Sequence, residues 1–180
     1  KGETVVEVDE APRRDSSLES LAKLPGLAHR DGSHTAGNSP GVNDGAGALV
    51  VTSEEFARER GLDVLATILG SAYIADEYAY LARTPAKAAA RDLEKVGKTI
   101  DDVDRVEINE AFSSVTVNSL KMLGADPDKA NVNGGAVALG HPLGASGARI
   151  LGTMIYELRR NGGGLGLAAI CSGGGQGDAL

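Results

Sequence analysis

The sequence has 180 residues, enough for a domain of ordinary size with a buried core. A hydrophobic share of 42% is too high for a disordered chain, and a formal net charge of −7 argues against nucleic-acid grooves or anionic-membrane faces, which need clustered Lys and Arg. The single cysteine, Cys171, excludes an intrachain disulfide and a thiolate zinc site. With no apolar run near the roughly 20 residues of a membrane span, we expect a reduced, cytoplasmic protein.

Along the chain, the first forty residues predict one short helix, which begins where Ser16 to Glu19 has the spacing of a capping box. From residue 45 onward, predicted strands and helices alternate, and the strands are apolar on both faces. This pattern is typical of an α/β fold with a mainly parallel sheet covered by helices. The predicted strands lie at 45–52, 64–75, 103–108 and 164–170, with an extended stretch at 131–139 and a last strand after residue 177. The predicted helices lie at 53–60, 84–97, 109–123 and 144–160.

Three polar or reactive side chains follow predicted strands or extended stretches, at the sheet edge where ligands of α/β proteins gather. Asn109 follows one strand, His141 lies between the extended stretch and a helix, and Cys171 follows the strand 164–170. Each has a simpler interpretation: a helix N-cap, a loop residue and a small buried hydrophobic residue, respectively. The glycine-rich run after Cys171 favours a functional role for this cysteine over the simpler interpretation, because backbone N–H groups in such a run stabilise a developing oxyanion.

Five segments of the sequence, in order, resemble the C-terminal half of thiolases, and the resemblance spans nearly the whole chain. They are GNSPGVNDGA at 37–46, NEAF at 109–112, NVNGG at 131–135, GHPLGASGAR at 140–149 and CSGGGQG at 171–177. The amino-acid sequence of the fourth segment resembles thiolases of the biosynthetic acetoacetyl-CoA type more than those of the fatty-acid-degrading type.

The resemblance implies a layered αβαβα fold made of two similar halves, with a loop domain over the active site. Residues 1–40 would be the tail of the loop domain, 41–62 the last strand and helix of the N-terminal domain, and 63–180 the C-terminal domain. We therefore expect the sequence to be a piece of a longer protein, which needs an N-terminal thiolase half as its partner and forms a homo-oligomer.

The same resemblance implies Claisen condensation of two acetyl-CoA molecules, or the reverse cleavage, with coenzyme A thioesters as substrates and no separate cofactor. Cys171 would be the acid/base, and its thiol pKa would be brought down from about 8.5 towards neutrality. The Gly173 N–H would donate to an oxyanion, His141 would stabilise the enolate oxygen and Asn109 would orient a water. The family's nucleophilic cysteine lies in the N-terminal half and has no counterpart here, so we expect these residues alone to be inactive.

Contacts to coenzyme A follow more loosely from the resemblance. Arg13 and Ser20 match positions near the adenine end. Many relatives carry a serine that bonds the pantetheine chain where this sequence has Pro40, next to Ser39. Proline removes both a hydroxyl and an N–H at that point.

Two other functions stay open from the sequence. Cys171, His141 and Asn109 are the residue types of a Cys-His-Asn hydrolase or transferase, in which Cys171 would itself be the nucleophile. Alternatively, the chain is a non-catalytic half that pairs with a separate N-terminal chain. In that case the strand at 45–52 would present an unpaired edge.

Overall fold

The computed structural model describes Val5 and residues 7–180. Its helices and strands alternate through the second half of the chain, which agrees with the α/β class predicted from the sequence. The helices are α1 (Leu18–Ala22), α2 (Glu54–Glu59), α3 (Thr84–Lys95), α4 (Ser113–Leu123), α5 (Ala136–Leu139) and α6 (Ser146–Arg160). The strands are β1 (Ala72–Ala75), β2 (Arg105–Ile108), β3 (Gly166–Ser172) and β4 (Gln176–Ala179). No helix within the described residues is both long and apolar enough to cross a membrane.

The strands form one four-stranded sheet in the order β1-β4-β3-β2. Strands β2 and β3 are parallel, whereas β4 runs antiparallel to both β3 and β1. The prediction of a mainly parallel sheet was therefore wrong for two of its three pairings. The reason is the short turn at 173–175 between β3 and β4, since such a turn can connect only antiparallel strands.

Helices cover both faces of this sheet, and each face has its own core. On one face α3 and α4 pack against alternate residues of β3, namely Leu167, Ala169 and Cys171. On the other face α6 packs against the residues between them, Ala168 and Ile170. The period of two along β3 thus divides its side chains between the two helical layers.

Three predicted elements differ from the structure. Residues 45–52 form no strand, and β1 begins only at Ala72 rather than at residue 64. Apolar side chains of the first segment are largely exposed, 89% for Val50, and a strand requires a neighbouring strand to take its backbone hydrogen bonds. Residues 131–139 are a turn followed by α5 instead of an extended stretch, because Asn131 has a left-handed backbone (φ 44°) that ends any extended run.

Two helix starts are also shifted. The capping box of α1 is formed by Ser17 and Ser20 rather than by Ser16 and Glu19. Helix α4 begins at Ser113, because the N–H of Ala111 donates to the Asn109 carbonyl (3.0 Å) in a tight turn that separates β2 from the helix.

Candidate active site

The end of β2 brings two of the predicted site residues together. Asn109 follows β2 directly, is fully buried, and donates its backbone N–H to the Ala169 carbonyl of β3 (3.0 Å). Its amide Nδ2 lies 3.3 Å from Nε2 of His141. The structure thus joins the NEAF and GHPLG segments through side chains that are 32 positions apart in the chain.

The loop before His141 is fixed by the GVND segment. Val42 pairs with His141 as an isolated parallel bridge, and the His141 N–H donates to Oδ1 of Asn43 (3.1 Å). Gly140 has φ 102° and lies so close to the Asn43 amide that a Cβ there would sit 2.6 Å from its Cγ. A larger residue would therefore meet both a strained backbone and a steric clash at this position.

The first turns of α6 hold the two polar groups from the other side. The hydroxyl of Ser146, also fully buried, lies 2.6 Å from Nδ1 of His141 and donates to the Pro142 carbonyl (3.0 Å). Nη2 of Arg149 donates to Oδ1 of Asn109 (3.2 Å). Because Ser146 and Arg149 are three residues apart on one helix, their side chains share a face.

Burial and the Arg149 charge set the protonation of the ring. Burial is the main cause that lowers the pKa of His141, and the neighbouring guanidinium lowers it further. A neutral imidazole is therefore the resting form at neutral pH. Burial also raises the pKa of Glu107, a residue of β2, to about 7. Arg149 opposes this shift, and its Nη1 lies 3.9 Å from Oε2 of Glu107.

Cys171 lies near the end of β3, the strand next to β2, and is nine-tenths buried. It packs in the core on the α3 face, and within the described part of the chain its thiol forms no hydrogen bond with His141 or Asn109. Burial raises the pKa of the Cys171 thiol. This direction is opposite to the lowering that the sequence led us to expect, because the loss of solvation outweighs the lowering effect of a hydrogen bond with the backbone of Cys171 itself.

The glycine-rich run after Cys171 forms the turn of the β3–β4 hairpin. Gly173 is exposed in this turn, and Gly174 and Gly175 have φ of 88° and 75°. The Gly175 carbonyl accepts from the N–H of Asp76 (2.7 Å), which fixes the turn against the end of β1. Positive φ at consecutive positions explains why glycine fills this run.

The four residues assigned to coenzyme A binding lie in the first forty residues. Arg13 and Ser20 are exposed, and the Ser20 hydroxyl donates to the Ser17 carbonyl (2.9 Å) within the α1 cap. Ser39 and Pro40 are half-buried, and the buried hydroxyl oxygen of Ser39 has no hydrogen-bond partner among the described residues. Ser39 thus has hydrogen-bonding capacity to spare, whereas the hydroxyl of Ser20 is already engaged.

Sequence reasoning did not single out Ser146 and Arg149, which contact the side chains of His141 and Asn109, respectively. It also did not single out Glu110, whose carboxylate accepts from Asn131 Nδ2 (3.0 Å) and from the Val137 N–H (2.9 Å) and so ties the NEAF and NVNGG segments and the first turn of α5 together. A usable signal was present, because a serine and an arginine at helical spacing follow the histidine within one segment. His34 is exposed, and its Nε2 lies 2.8 Å from Ser114 Oγ.

Comparisons with known proteins agree with the family resemblance of the segments that form this site. Residues 62–180 match the family model described as the thiolase C-terminal domain, and residues 1–55 match the thiolase N-terminal domain. The chain belongs to the thiolase family. The acetyl-CoA acetyltransferase of Allochromatium vinosum is 46% identical over 98% of the chain, which covers 45% of that relative.

Solved thiolase structures have the same fold. The crystal structure of the Bacillus anthracis acetyl-CoA acetyltransferase matches all of the chain with a TM-score of 0.91 and 45% identity, and 47% of that protein is covered. The human mitochondrial 3-ketoacyl-CoA thiolase in complex with CoA matches 97% with a TM-score of 0.91 and 43% identity, and 44% of it is covered. The chain therefore spans about half the length of the thiolases it matches.

Proposed function

We propose that this chain supplies the proton-transferring and oxyanion-stabilising part of a thiolase active site. The reaction would be acyl transfer between coenzyme A thioesters: condensation of two acetyl-CoA to acetoacetyl-CoA and CoA, or the reverse cleavage. The observation that carries the proposal is the pairing of buried Asn109 with half-buried His141, held between Arg149 and Ser146 at the end of β2 and inside the segments typical of the family.

In this proposal Cys171 moves the proton of the substrate methyl group. Its thiolate takes a proton from the acetyl-CoA methyl, so that a C–H bond breaks and an S–H bond forms. The enolate carbon then attacks the carbonyl of an acyl group bound to a second thiol, which leaves as a thiolate. Because burial raises the pKa of Cys171, its deprotonation requires a base, and Nε2 of His141 would serve as that base by giving up the hydrogen bond that it accepts from Asn109 in the resting site.

Once protonated at Nε2, His141 would donate a hydrogen bond to the enolate oxygen. The Asn109 amide has a second N–H for a water or for the oxygen itself, and Gly173 would add a backbone N–H for the other carbonyl. The burial of Asn109 supports its role, because a hydrogen-bond donor in a buried position stabilises developing charge more strongly than it does in water.

The second thiol has to come from outside these 180 residues, since the sequence contains one cysteine. We propose that residues 63–180 are the C-terminal domain, that 41–62 complete an N-terminal domain, and that an N-terminal thiolase half supplies the acylated cysteine. The proposed substrate is a coenzyme A thioester with no separate cofactor, and Ser39 is the better supported of the loop contacts to it, since its hydroxyl has no partner in the described part of the chain. A cytoplasmic homo-oligomer belongs to the same proposal.

A chimera tests the function. The 180 residues replace the matching part of the Bacillus anthracis enzyme, and the purified chimera is assayed for acetoacetyl-CoA formation and cleavage. We expect activity with the unaltered sequence, and a loss of at least about 10²-fold in kcat for Cys171→Ser or His141→Asn. A folded chimera without activity, or one that tolerates both substitutions, would contradict the proposal.

The separate 180-residue chain distinguishes the rival hydrolase or transferase. After incubation with acetyl-CoA, intact-mass analysis should show no stable acetyl adduct, because Cys171 is proposed to carry protons only. An adduct on Cys171 that turns over would favour the Cys-His-Asn mechanism with Cys171 as nucleophile. Cys171→Ala is the control for acetylation elsewhere.

A further inference from the structure

The hydrogen bonds around His141 form a chain whose direction can be read from one end to the other. It begins at the Arg149 guanidinium, which has only donors, and passes to Oδ1 of Asn109 (3.2 Å). Because Oδ1 accepts there, the amide presents Nδ2 to Nε2 of His141 (3.3 Å). An amide nitrogen only donates, so Nε2 has to be the acceptor.

The opposite side of the ring agrees with this assignment. Nδ1 of His141 lies 2.6 Å from Oγ of Ser146, and that hydroxyl donates to the Pro142 carbonyl (3.0 Å). The single hydroxyl hydrogen is thus directed to Pro142, and Nδ1 carries the proton that Oγ accepts. Both sides of the ring require the neutral tautomer with its proton on Nδ1.

We propose that Arg149 is a positioning residue for the proposed reaction: its guanidinium fixes the amide of Asn109, which keeps Nε2 of His141 unprotonated and available as a proton acceptor. If the amide turned over, its NH₂ group would face the guanidinium and its oxygen would face the ring. The ring would then carry its proton on Nε2 and could not accept one there.

The pairing of Arg149 with Glu107 supports a role beyond stability. Glu107 lies two residues before Asn109 on β2, so their side chains share the α6 face of the sheet. Its Oε2 is 3.9 Å from Nη1 of Arg149, and within the described part of the chain neither atom has a hydrogen-bond partner. A buried ion pair without hydrogen bonds contributes little stability, and the guanidinium's one hydrogen bond among the described residues goes to Asn109.

The tautomer is measured directly on the 180-residue chain by ¹⁵N NMR of the imidazole nitrogens. We expect His141 to show a protonated Nδ1 and an unprotonated Nε2, with its signals assigned by their loss in His141→Gln. In Arg149→Met the amide is released, and we expect the ratio of the two tautomers to move by about tenfold, the equivalent of one ordinary hydrogen bond. Arg105→Met, which removes a cation paired with Glu157 instead, is the control and should leave the ring signals unchanged.

Asn109→Asp provides an independent test if Arg149→Met does not fold. A carboxylate has only acceptors, so Nε2 would have to donate to it, and the ring would become protonated at Nε2. A wild-type ring already protonated at Nε2, or an Arg149→Met ring identical to wild type, would overturn the proposal.

Kinetics of the chimera separate positioning from simple charge balance. This kinetic test rests on the proposed function. If the proposed function is wrong, the chimera with the unaltered sequence will be inactive, whereas the NMR measurement of the His141 tautomer does not depend on activity. We expect Arg149→Met to lower kcat by up to about tenfold, the change expected in the tautomer ratio, with little change in KM, because Arg149 acts from behind Asn109. Arg149→Lys keeps the charge beside Glu107 but lacks the planar fork of donors, so it should not restore kcat. Restored activity in that variant would assign Arg149 to charge balance alone and would overturn the positioning role.

Discussion

Two fully buried serines make a matched test of how the site is held together. The Ser146 hydroxyl takes part in two hydrogen bonds, with Nδ1 of His141 and with the Pro142 carbonyl. The Ser119 hydroxyl has no partner among the described residues. Ser146→Ala leaves two buried polar groups unpaired, which costs about 1–3 kcal/mol of unfolding free energy. Ser119→Ala removes an unpaired hydroxyl from α4 and improves helix propensity, so it should be neutral or stabilising by a few tenths of a kcal/mol.

Urea unfolding of the 180-residue chain, followed by circular dichroism, measures both effects, and thermal unfolding gives a second reading. For a chain of this length each kcal/mol corresponds to about 2–4 °C in Tm. We therefore expect Ser146→Ala to lower Tm clearly while Ser119→Ala leaves it unchanged or higher. Equal destabilisation by the two variants would refute the reasoning, since both side chains are equally buried and differ only in their hydrogen bonds.

Two further predictions concern stability. The pKa of Glu107 is raised in the folded chain to about 7, so the folded state binds the proton more tightly, and stability should fall as pH rises from about 4.5 through 7. Glu107→Gln should remove this part of the slope, which urea unfolding at several pH values would measure. A Cβ at Gly177 would lie 2.5 Å from the Thr84 carbonyl, so Gly177→Ala should cost about 1–3 kcal/mol. Gly152→Ala, with nothing within 4 Å, should stabilise α6 by up to about 1 kcal/mol, and thermal unfolding compares the two.

The sequence predicted the elements whose partners lie nearby in the chain. Helix α6 and strands β2 and β3 were predicted close to their observed positions, because hydrophobic period and glycine breaks are local properties. The prediction of a strand at 45–52 was wrong for the opposite reason. The apolar residues of this segment resemble a strand, but a strand exists only where another strand takes its hydrogen bonds, and no window of sequence contains that partner.

For the candidate site, the sequence identified the residues but not all of their connections. Strand ends and family segments pointed to Asn109, His141 and Cys171, and the structure joins the first two directly. Arg149 was not singled out, because an arginine inside a helix is usually a solvated residue, and its contact with Asn109 spans 40 positions. The lowered thiol pKa was wrong in direction, since burial depends on packing that the strand pattern does not specify.

In the resting candidate site the titratable groups proposed to react are neutral, and a charged side chain packs behind Asn109. Burial keeps both the Cys171 thiol and the His141 imidazole uncharged, and the charge that acts on the ring is that of the Arg149 guanidinium, which faces Glu107 on its other side. In the proposed reaction, a negative charge that develops on a substrate oxygen near Asn109 would meet a guanidinium that is hydrogen-bonded to the same amide. A fixed cation behind a buried amide needs no reorganisation during the reaction, and this is the condition under which electrostatic stabilisation is most effective. Protonation of Glu107 would leave that cation unbalanced, so the state of this one carboxyl group should set the field that the reacting oxygen experiences.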